Sequence, residues 1–130
     1  MFVDTSAIVA ILSRESDAPE LSRAIEAADT PVTSGLVLLE AAMRLSTKLD
    51  IHPRAIGEVL AEFLARAGIE IMPIGKSEAF LAIDAFGAYG KGRGHPAQLN
   101  LADCLSYACA KSRGVPLLYK GRDFGRTDLA

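Results

Sequence analysis

Residues 100–119 read NLADCLSYACAKSRGVPLLY, and this stretch decides the fold class. Asn100 is a preferred helix N-cap and Gly114 is a residue type that often ends helices, so the pattern predicts a helix up to about Arg113. The run that follows, residues 115–119, is apolar without alternation, which is typical of a strand buried in a parallel sheet. A helix that leads into such a strand is one unit of an α/β fold.

The rest of the chain repeats this alternation of strands and helices. Short strands are predicted at residues 1–4, 32–33 and 69–71. Helices are predicted at residues 5–12, 19–28, 36–49, 53–67 and 77–89, and the last of these is apolar enough to be buried. We therefore expect an α/β fold with a small, open, mainly parallel sheet flanked by helices. A chain of 130 residues with no internal repeat indicates one domain, residues 1–130.

Composition narrows the class of protein. Hydrophobic residues make up 50% and charged residues 23% of the chain, which is typical of a compact globule. No apolar run approaches the roughly 20 residues that cross a bilayer, and an acid at Asp4 does not fit a secretory signal. We expect a cytoplasmic protein with no membrane partner. Cys104 and Cys109 lie on one predicted helix, too far apart for a disulfide, and are expected to be apolar fillers.

Charge is distributed unevenly along the chain. The total is −2, from 14 basic and 16 acidic residues. Residues 1–90 contain seven lysines and arginines against thirteen acids, whereas residues 91–130 contain seven against three, a surplus of four positive charges. A glycine-rich loop with basic residues, GKGRGHP at residues 90–96, lies at the start of this last third. The asymmetry indicates an anionic ligand at one face of the protein.

Three acids are predicted at one edge of the sheet. Asp4 ends the first strand, Asp123 follows the last strand, and Asp103 lies in the first turn of the helix before that strand. Ligand sites of open parallel sheets form outside the carboxyl ends of the strands, so these acids can meet although they are distant in sequence. Each also has a structural explanation: a loop acid at Asp4, a helix-starting acid at Asp103 and a turn acid at Asp123.

A fourth acid, Glu40, belongs to an apolar helical stripe that we expect to face the core. The stripe consists of Leu36, Leu39, Glu40 and Met43. An ionised carboxylate in that position is costly unless a cation or hydrogen-bond donors compensate it. The structural alternative is an ion pair with Arg44 one turn later. Asp84 raises the same question and is expected to be structural, because nothing places it at the carboxyl end of a strand.

Four carboxylates in one place are suited to one or two hard divalent cations. Mg²⁺ takes oxygen ligands, keeps several waters, and needs only one or two carboxylates plus a substrate phosphate. Such an ion activates water, orients a phosphate ester and neutralises the leaving oxygen. Without it, close negative charges raise one another's pKa. The acids therefore predict a Mg²⁺ site that acts on a phosphate ester.

Several segments resemble the VapC-like PIN-domain toxins. The most specific one spans residues 89–128. It contains YGKGRGHPAQLNLADC at residues 89–104, SYA at 106–108, PLLYKGRDF at 116–124, and Thr127 with Asp128. The opening VDTSA at residues 3–7 and the LEA at residues 39–41 match as well. The resemblance extends over the chain from end to end and implies a PIN-like fold.

The resemblance implies a ribonuclease dependent on Mg²⁺ or Mn²⁺, which hydrolyses RNA phosphodiesters through a metal-activated water. Asp4 and Asp103 would be direct metal ligands, and the hydroxyls of Thr5 and Ser6 would be polar support. The full set of catalytic acids would be Asp4, Glu40, Asp103 and Asp123. The resemblance also implies the toxin half of a toxin–antitoxin pair, a VapB-like antitoxin that inhibits the site, and a homodimer. Asp128 fits the family's ending and is expected to be structural.

Basic residues near the acids are candidate contacts to RNA phosphates. The candidates are Lys91, Arg93, His95, Lys120 and Arg122, with Arg126 beside them. Another common ribonuclease chemistry uses paired histidines as general acid and base. The chain has only two histidines, and His52 begins a predicted helix at the surface, so the sequence argues against that chemistry.

Two other functions remain open at this point. A catalytically inactive PIN-like binding module would have the same fold, and the intact set of four acids argues against it. A receiver-type signalling domain also has an acidic Mg²⁺ pocket and a lysine after its last strand, which Lys120 resembles. It requires an acid at the end of a middle strand, where this chain has Thr33-Ser34 and Met72-Pro73. Metal-dependent cleavage of RNA would separate these functions from a nuclease.

Overall fold

A computed structural model describes residues 1–129 of the chain. Ala130, the last residue of the predicted domain, lies outside the described residues. The strands are β1 (Phe2–Val3), β2 (Val32–Ser34), β3 (Glu70–Met72) and β4 (Leu117–Leu118). The helices are α1 (Thr5–Leu12), α2 (Ala18–Ala27), α3 (Gly35–Leu49), α4 (Pro53–Ala67), α5 (Lys76–Tyr89) and α6 (Leu101–Arg113). A short 3₁₀ helix, Phe124–Arg126, follows β4.

The strands form one parallel sheet in the order β3-β2-β1-β4. Phe2 pairs with Val32 on one side and with Leu117 on the other, so β1 is central. Two helices connect each strand to the next one in the chain. This confirms the predicted α/β fold. Because all strands point the same way, their carboxyl ends share one edge, and Asp4 lies there directly after β1.

The core lies between the sheet and the helices that cover it. Phe2 and Val3 of the central strand are completely buried. The middle of α6 is a buried run of small and medium residues, and this helix packs on β1 and β4. Cys104 and Cys109 are part of this core as free, buried thiols, which confirms their predicted role as fillers.

Local sequence signals located most helix ends correctly. Gly68 and Gly114 follow α4 and α6 with φ of +67° and +64°, in the left-handed region that favours glycine. His52 caps α4 at the surface, accepting the N–H of Arg54 on Nδ1 (3.1 Å). The last strand is shorter than expected, with only Leu117–Leu118 paired in the sheet. Among residues 1–129 we find no helix with the length and apolar character needed to cross a membrane.

Two expectations about burial were wrong. Helix α5 buries only Ala82 and Ala85, and its large apolar residues Ile83 and Phe86 are 61% and 47% exposed. Asp84 on the same helix is exposed as well. An apolar helix was predicted to be buried, but α5 packs on α6 through its small residues and leaves the large ones at the surface.

Helix α3 also faces the core through a different stripe from the one predicted. The buried residues are Val37, Ala41 and Leu45, spaced four apart. Leu39 and Met43, which were expected to be buried, are about 60% exposed (59% and 61%). Glu40 is therefore half-buried at the side of the helix and not on its core-facing stripe. Burial alone therefore does not require a cation beside Glu40, and the role of Glu40 depends on its neighbours.

Candidate active site

Asp4 is a buried carboxylate at the carboxyl end of the central strand. It is 4% exposed and is the N-cap of α1. Its Oδ2 atom accepts the backbone N–H of Ser6 (3.1 Å) and the hydroxyl of Ser6 (2.7 Å). The hydroxyl oxygen of Ser6 in turn accepts the backbone N–H of Lys120 (2.9 Å). Ser6 therefore connects Asp4 to the segment that leaves β4.

Asp103 is placed by a reciprocal cap at the start of α6. Its N–H donates to Asn100 Oδ1 (2.9 Å), and the N–H of Asn100 donates to Asp103 Oδ2 (3.1 Å). Each side chain satisfies a backbone donor that the helix leaves without a partner. The side chain of Asp103 is thereby held close to the helix N-terminus, half-buried at the same edge of the sheet.

The pKa of Asp103 shows how the four predicted acids affect one another. Burial raises the pKa of the Asp103 carboxyl to about 7, and the hydrogen bond from the Asn100 N–H opposes this rise. The negative charges of Asp4, Asp123 and Glu40 raise the pKa of Asp103 further. Acids from β1, α3, α6 and the segment after β4 thus lie close enough to repel one another.

The carboxylates are not arranged as a ready-made ligand cage. Within residues 1–129 no group of three or more histidine, cysteine, aspartate or glutamate side chains has the geometry to hold a metal ion. Asp4 and Asp103 both turn toward donors at the start of their own helices. Asp123 is exposed and makes no capping hydrogen bond to the 3₁₀ helix that follows it. The acids share one region without converging on a single point.

The two hydroxyls after Asp4 have different surroundings. The hydroxyl of Ser6 donates to Asp4 and accepts the N–H of Lys120. Thr5 is 1% exposed, and its Oγ1 atom has no hydrogen-bond partner among the described residues. A buried hydroxyl without a partner costs about 1–3 kcal/mol. The Thr5 hydroxyl is therefore a polar group beside Asp4 that lowers the stability of the fold.

The predicted RNA contacts fall into two groups. Lys91 and Arg122 are exposed, and neither forms an ion pair within the described part of the chain. Arg93 lies over the ring of Phe86, 5.8 Å from its centroid. These three side chains remain available to an anionic ligand.

His95 and Lys120 already have partners inside the protein. The Nδ1 atom of His95 accepts the N–H of Ala97 (3.0 Å), and its ring packs edge-on against Tyr89. The ammonium of Lys120 pairs with Glu15 and with Asp17 (3.3 Å). This pairing could not be predicted from the sequence, because Glu15 and Lys120 are 105 positions apart.

Asp128 ties the end of the chain to α6, as expected of a structural acid. It accepts the hydroxyl of Tyr107 (2.6 Å) on one oxygen and the ammonium of Lys111 (2.7 Å) on the other. These donors lower the pKa of Asp128, with Lys111 contributing most. Asp128 is therefore anchored to α6.

Apolar surface lies beside the acids. One groove of about 250 Å³ runs between α3 and α6 and is bordered by Leu39, Glu40, Met43 and Leu101. A second, of about 370 Å³, runs between α5 and α6 and includes Ile83, Phe86 and Leu101. Leu101 lines both and is 77% exposed. An apolar groove could be expected from the Ala- and Leu-rich helices, but its position could not be predicted, because exposed and buried apolar residues look alike in a helix.

The chain matches known proteins over almost its whole length. The PIN-domain family matches residues 1–129. The chain is 43% identical over 129 residues to Ribonuclease VapC28 of Mycobacterium tuberculosis, covering 99% of this chain and 95% of that protein. It is 42% identical over 130 residues to Ribonuclease VapC30 of the same species, covering 100% and 96%.

A solved structure has the same fold. The crystal structure of Mycobacterium tuberculosis VapC20, a toxin that cleaves the sarcin–ricin loop, superimposes with a TM-score of 0.73. The match covers 95% of this chain and 92% of that one at 17% sequence identity, so it bears on the fold alone. With the whole-chain family match and relatives above 40% identity, the chain belongs to the PIN-domain family, in its group of VapC ribonucleases.

Proposed function

We propose that this protein is an endoribonuclease that depends on Mg²⁺ or Mn²⁺ and acts as the toxin of a toxin–antitoxin pair. The observation that carries the proposal is the repulsion that Asp4, Glu40 and Asp123 exert on Asp103. Four acids from separate parts of the chain crowd one edge of the sheet, and such crowding of like charges costs stability and is typical of functional sites. The ribonuclease relatives support the choice of RNA as substrate.

The residues present fit a hard divalent cation. All four candidates supply carboxylate oxygens, the ligand type that Mg²⁺ and Mn²⁺ prefer. The unpartnered hydroxyl of Thr5 adds a polar atom beside Asp4. Asp4 and Asp103 would hold the ion, since Asp4 is buried and Asp103 is half-buried at the same edge of the sheet. Glu40 and Asp123 would add negative charge around the ion.

The chain's own residues prepare the site for hydrolysis of a phosphodiester. When bound, the cation supplies an activated water and neutralises charge on the phosphate. Burial and the neighbouring acids raise the pKa of Asp103 to about 7, and a bound cation would favour its charged carboxylate. In-line displacement of the 3′ oxygen by water leaves a 5′-phosphate and a 3′-hydroxyl. Lys91, Arg93 and Arg122 would hold phosphates on either side of the cleaved bond.

An antitoxin would block the site from the groove between α3 and α6. The groove presents Leu39 and Met43 to solvent, and Glu40 lies on its wall. An amphipathic helix of a VapB-like partner would bury the apolar residues, and one of its basic side chains would pair with Glu40. Leu39→Asp is expected to weaken antitoxin binding at least about tenfold, since one lost apolar anchor costs about 1.5–3 kcal/mol.

The exposed face of α5 would form a homodimer. Phe80, Ile83 and Phe86 are spaced three apart on one side of the helix and are 58%, 61% and 47% exposed. A two-fold axis would place this face against the same face of a second copy. The assembly would act in the cytoplasm, where RNA and the antitoxin are made.

The direct test is cleavage of RNA by purified protein in Mg²⁺, in Mn²⁺ and in EDTA. We expect cleavage only with metal, and a loss of about a hundredfold or more in Asp4→Asn and Asp103→Asn, since even outer-shell partners of a metal are worth about 10–100-fold. Asp29→Asn, which changes an exposed acid outside the site, is the matched control and should keep full activity. Equal cleavage in EDTA, or full activity in both site variants, would contradict the proposal. RNA binding without cleavage would instead identify an inactive PIN-like binding module.

A further inference from the structure

Lys120 is held at two points where the chain leaves β4. Its N–H donates to the hydroxyl of Ser6, which donates to Asp4. Its ammonium pairs with Glu15 and Asp17, both in the turn between α1 and α2. Asp123 follows three residues later. The segment that carries Asp123 is thus attached to the start and to the end of α1.

Glu15 is the centre of this attachment. One of its oxygens accepts Lys120, and the other accepts Lys48 of α3 and the hydroxyl of Ser13, each at 3.2 Å. The hydrogen bond from Lys120, followed by that from Lys48, lowers the pKa of Glu15 to about 2, so Glu15 is charged throughout the neutral range. The side chains of Glu15 and Lys120 are 27% and 37% exposed. The pair is therefore partly shielded from water.

The turn that carries Glu15 has a defined backbone. Arg14 has φ of +55°, the left-handed region that is uncommon for residues with a side chain. The N–H of Glu15 donates to the carbonyl of Ala10 (2.9 Å), which closes the end of α1. This geometry turns Glu15 back toward the end of β4.

A second anchor lies on the other side of Asp123. Phe124 is 2% exposed and packs against Tyr119, with ring centroids 5.3 Å apart. Gly121, at φ of +110°, makes the bend between the two anchors. Because the Asp123 side chain makes no capping bond of its own, its position depends on the backbone between Lys120 and Phe124.

We propose that Glu15, through its ion pair with Lys120, is a positioning residue that holds the Asp123 segment against Asp4. The inference rests on the proposed function, because the place of Asp123 matters only if the four acids act together. Lys120 then contributes to the site by its internal pairing, and it is not a contact to RNA. Glu15 lies outside the acid cluster and acts only through Lys120.

The test compares Mn²⁺ affinity, measured by calorimetry at low salt, with the steady-state constants for RNA cleavage. Glu15→Gln and Lys120→Met each remove the ion pair, and the double variant removes both partners. Lys120→Arg keeps the pair. Glu62→Gln, which breaks the exposed pair between Glu62 and Arg66 (2.8 Å) on α4, is the matched control. Exposed ion pairs contribute about 0–1 kcal/mol, so all these variants are expected to fold.

We expect Mn²⁺ affinity to fall about three- to tenfold in Glu15→Gln and in Lys120→Met, somewhat less than for a direct partner of a metal ligand. The double variant should bind no more weakly than the weaker single variant, because both changes break the same interaction. Lys120→Arg should restore affinity to within about twofold of the wild type, and Glu62→Gln should not change it. The KM for RNA should be unchanged in Glu15→Gln. Amide exchange across residues 120–124 should be faster in Glu15→Gln.

Other outcomes overturn the inference. If Lys120 contacts RNA directly, Lys120→Met raises KM and reduces the salt dependence of binding by about one phosphate contact, while Glu15→Gln leaves Mn²⁺ affinity intact. Wild-type protein that takes up no Mn²⁺ contradicts the proposed function together with this inference. Wild-type protein that binds Mn²⁺ with the same affinity as Glu15→Gln contradicts the inference alone.

Discussion

Asp103 takes part in the cap at the N-terminus of α6 and also lies near three other acids. The cap and the neighbouring acids have opposite effects on the pKa of Asp103. The cap favours the charged form, whereas burial and the neighbouring carboxylates favour the neutral form and prevail, raising its pKa to about 7. In an unfolded chain an aspartate titrates near 3.9. Between about pH 4 and 7 Asp103 therefore binds more protons in the folded chain than in the unfolded one, and its contribution to stability falls as the pH rises.

This linkage predicts that Asp103→Asn stabilises the protein while abolishing its activity. Asparagine keeps the shape and can still accept the N–H of Asn100, but it carries no charge to be repelled. In EDTA, the melting temperature of the variant should exceed that of the wild type at pH 8, and the difference should shrink toward pH 4. A variant less stable than the wild type at pH 8 would contradict the electrostatic assignment.

The unpartnered hydroxyls of Thr5 and Ser106 provide a matched pair of substitutions. Both are buried and lack hydrogen-bond partners among the described residues, so removing either hydroxyl should leave the protein as stable or stabilise it by up to about 1–3 kcal/mol. Thr5 adjoins Asp4, and we expect Thr5→Val to lose RNA cleavage. Ser106→Ala should keep it. Denaturant unfolding and cleavage assays on the two variants check this, and equal activity in both would remove Thr5 from the site.

At the scale of elements, α6 depends on its reciprocal cap. Asn100→Ala removes the acceptor of the Asp103 N–H and should cost about 1 kcal/mol of unfolding free energy, within the usual range for such caps. Asn100→Ser should retain most of the stability because serine also caps helices well. Urea unfolding of the three proteins measures the difference. An unchanged midpoint in Asn100→Ala would show that packing of α6 on the sheet makes the cap redundant.

Local signals account for what could be predicted at this scale. Caps and glycines act within one helical turn, so the bounds of α4 and α6 followed from Pro53, Gly68 and Gly114. The strand-end acids followed from topology, because parallel strands bring their carboxyl ends to one edge. The exposure of α5 could not be predicted, since the sequence alone does not distinguish an apolar residue that is buried in the core from one that lies at the surface. The pair between Glu15 and Lys120 joins distant parts of the chain and leaves no periodic pattern.

In the molecule as a whole, the acidic site and the exposed apolar surface lie next to each other. Leu101 follows the capping residue of α6 and lines both grooves, so the helix that places Asp103 also presents apolar surface beside it. A partner that covers either groove comes close to the acids. Under the proposed function, a partner chain bound in the groove beside Glu40 would therefore also limit the access of RNA to the acids.

The α5 face permits a test of assembly that leaves folding intact. Ile83 is 61% exposed, so Ile83→Asp should not change the melting temperature of the monomer by more than a few degrees. In a two-fold dimer each substitution appears twice, and losing two apolar anchors of about 1.5 kcal/mol weakens association by about a hundredfold or more. Sedimentation or light scattering across a concentration series should show a dimer for the wild type and a monomer for Ile83→Asp. Val59→Asp, which alters an apolar residue on α4 that is 44% exposed, should remain dimeric. A monomeric wild type, or a dimer that persists in Ile83→Asp, would show that the α5 face does not form a dimer.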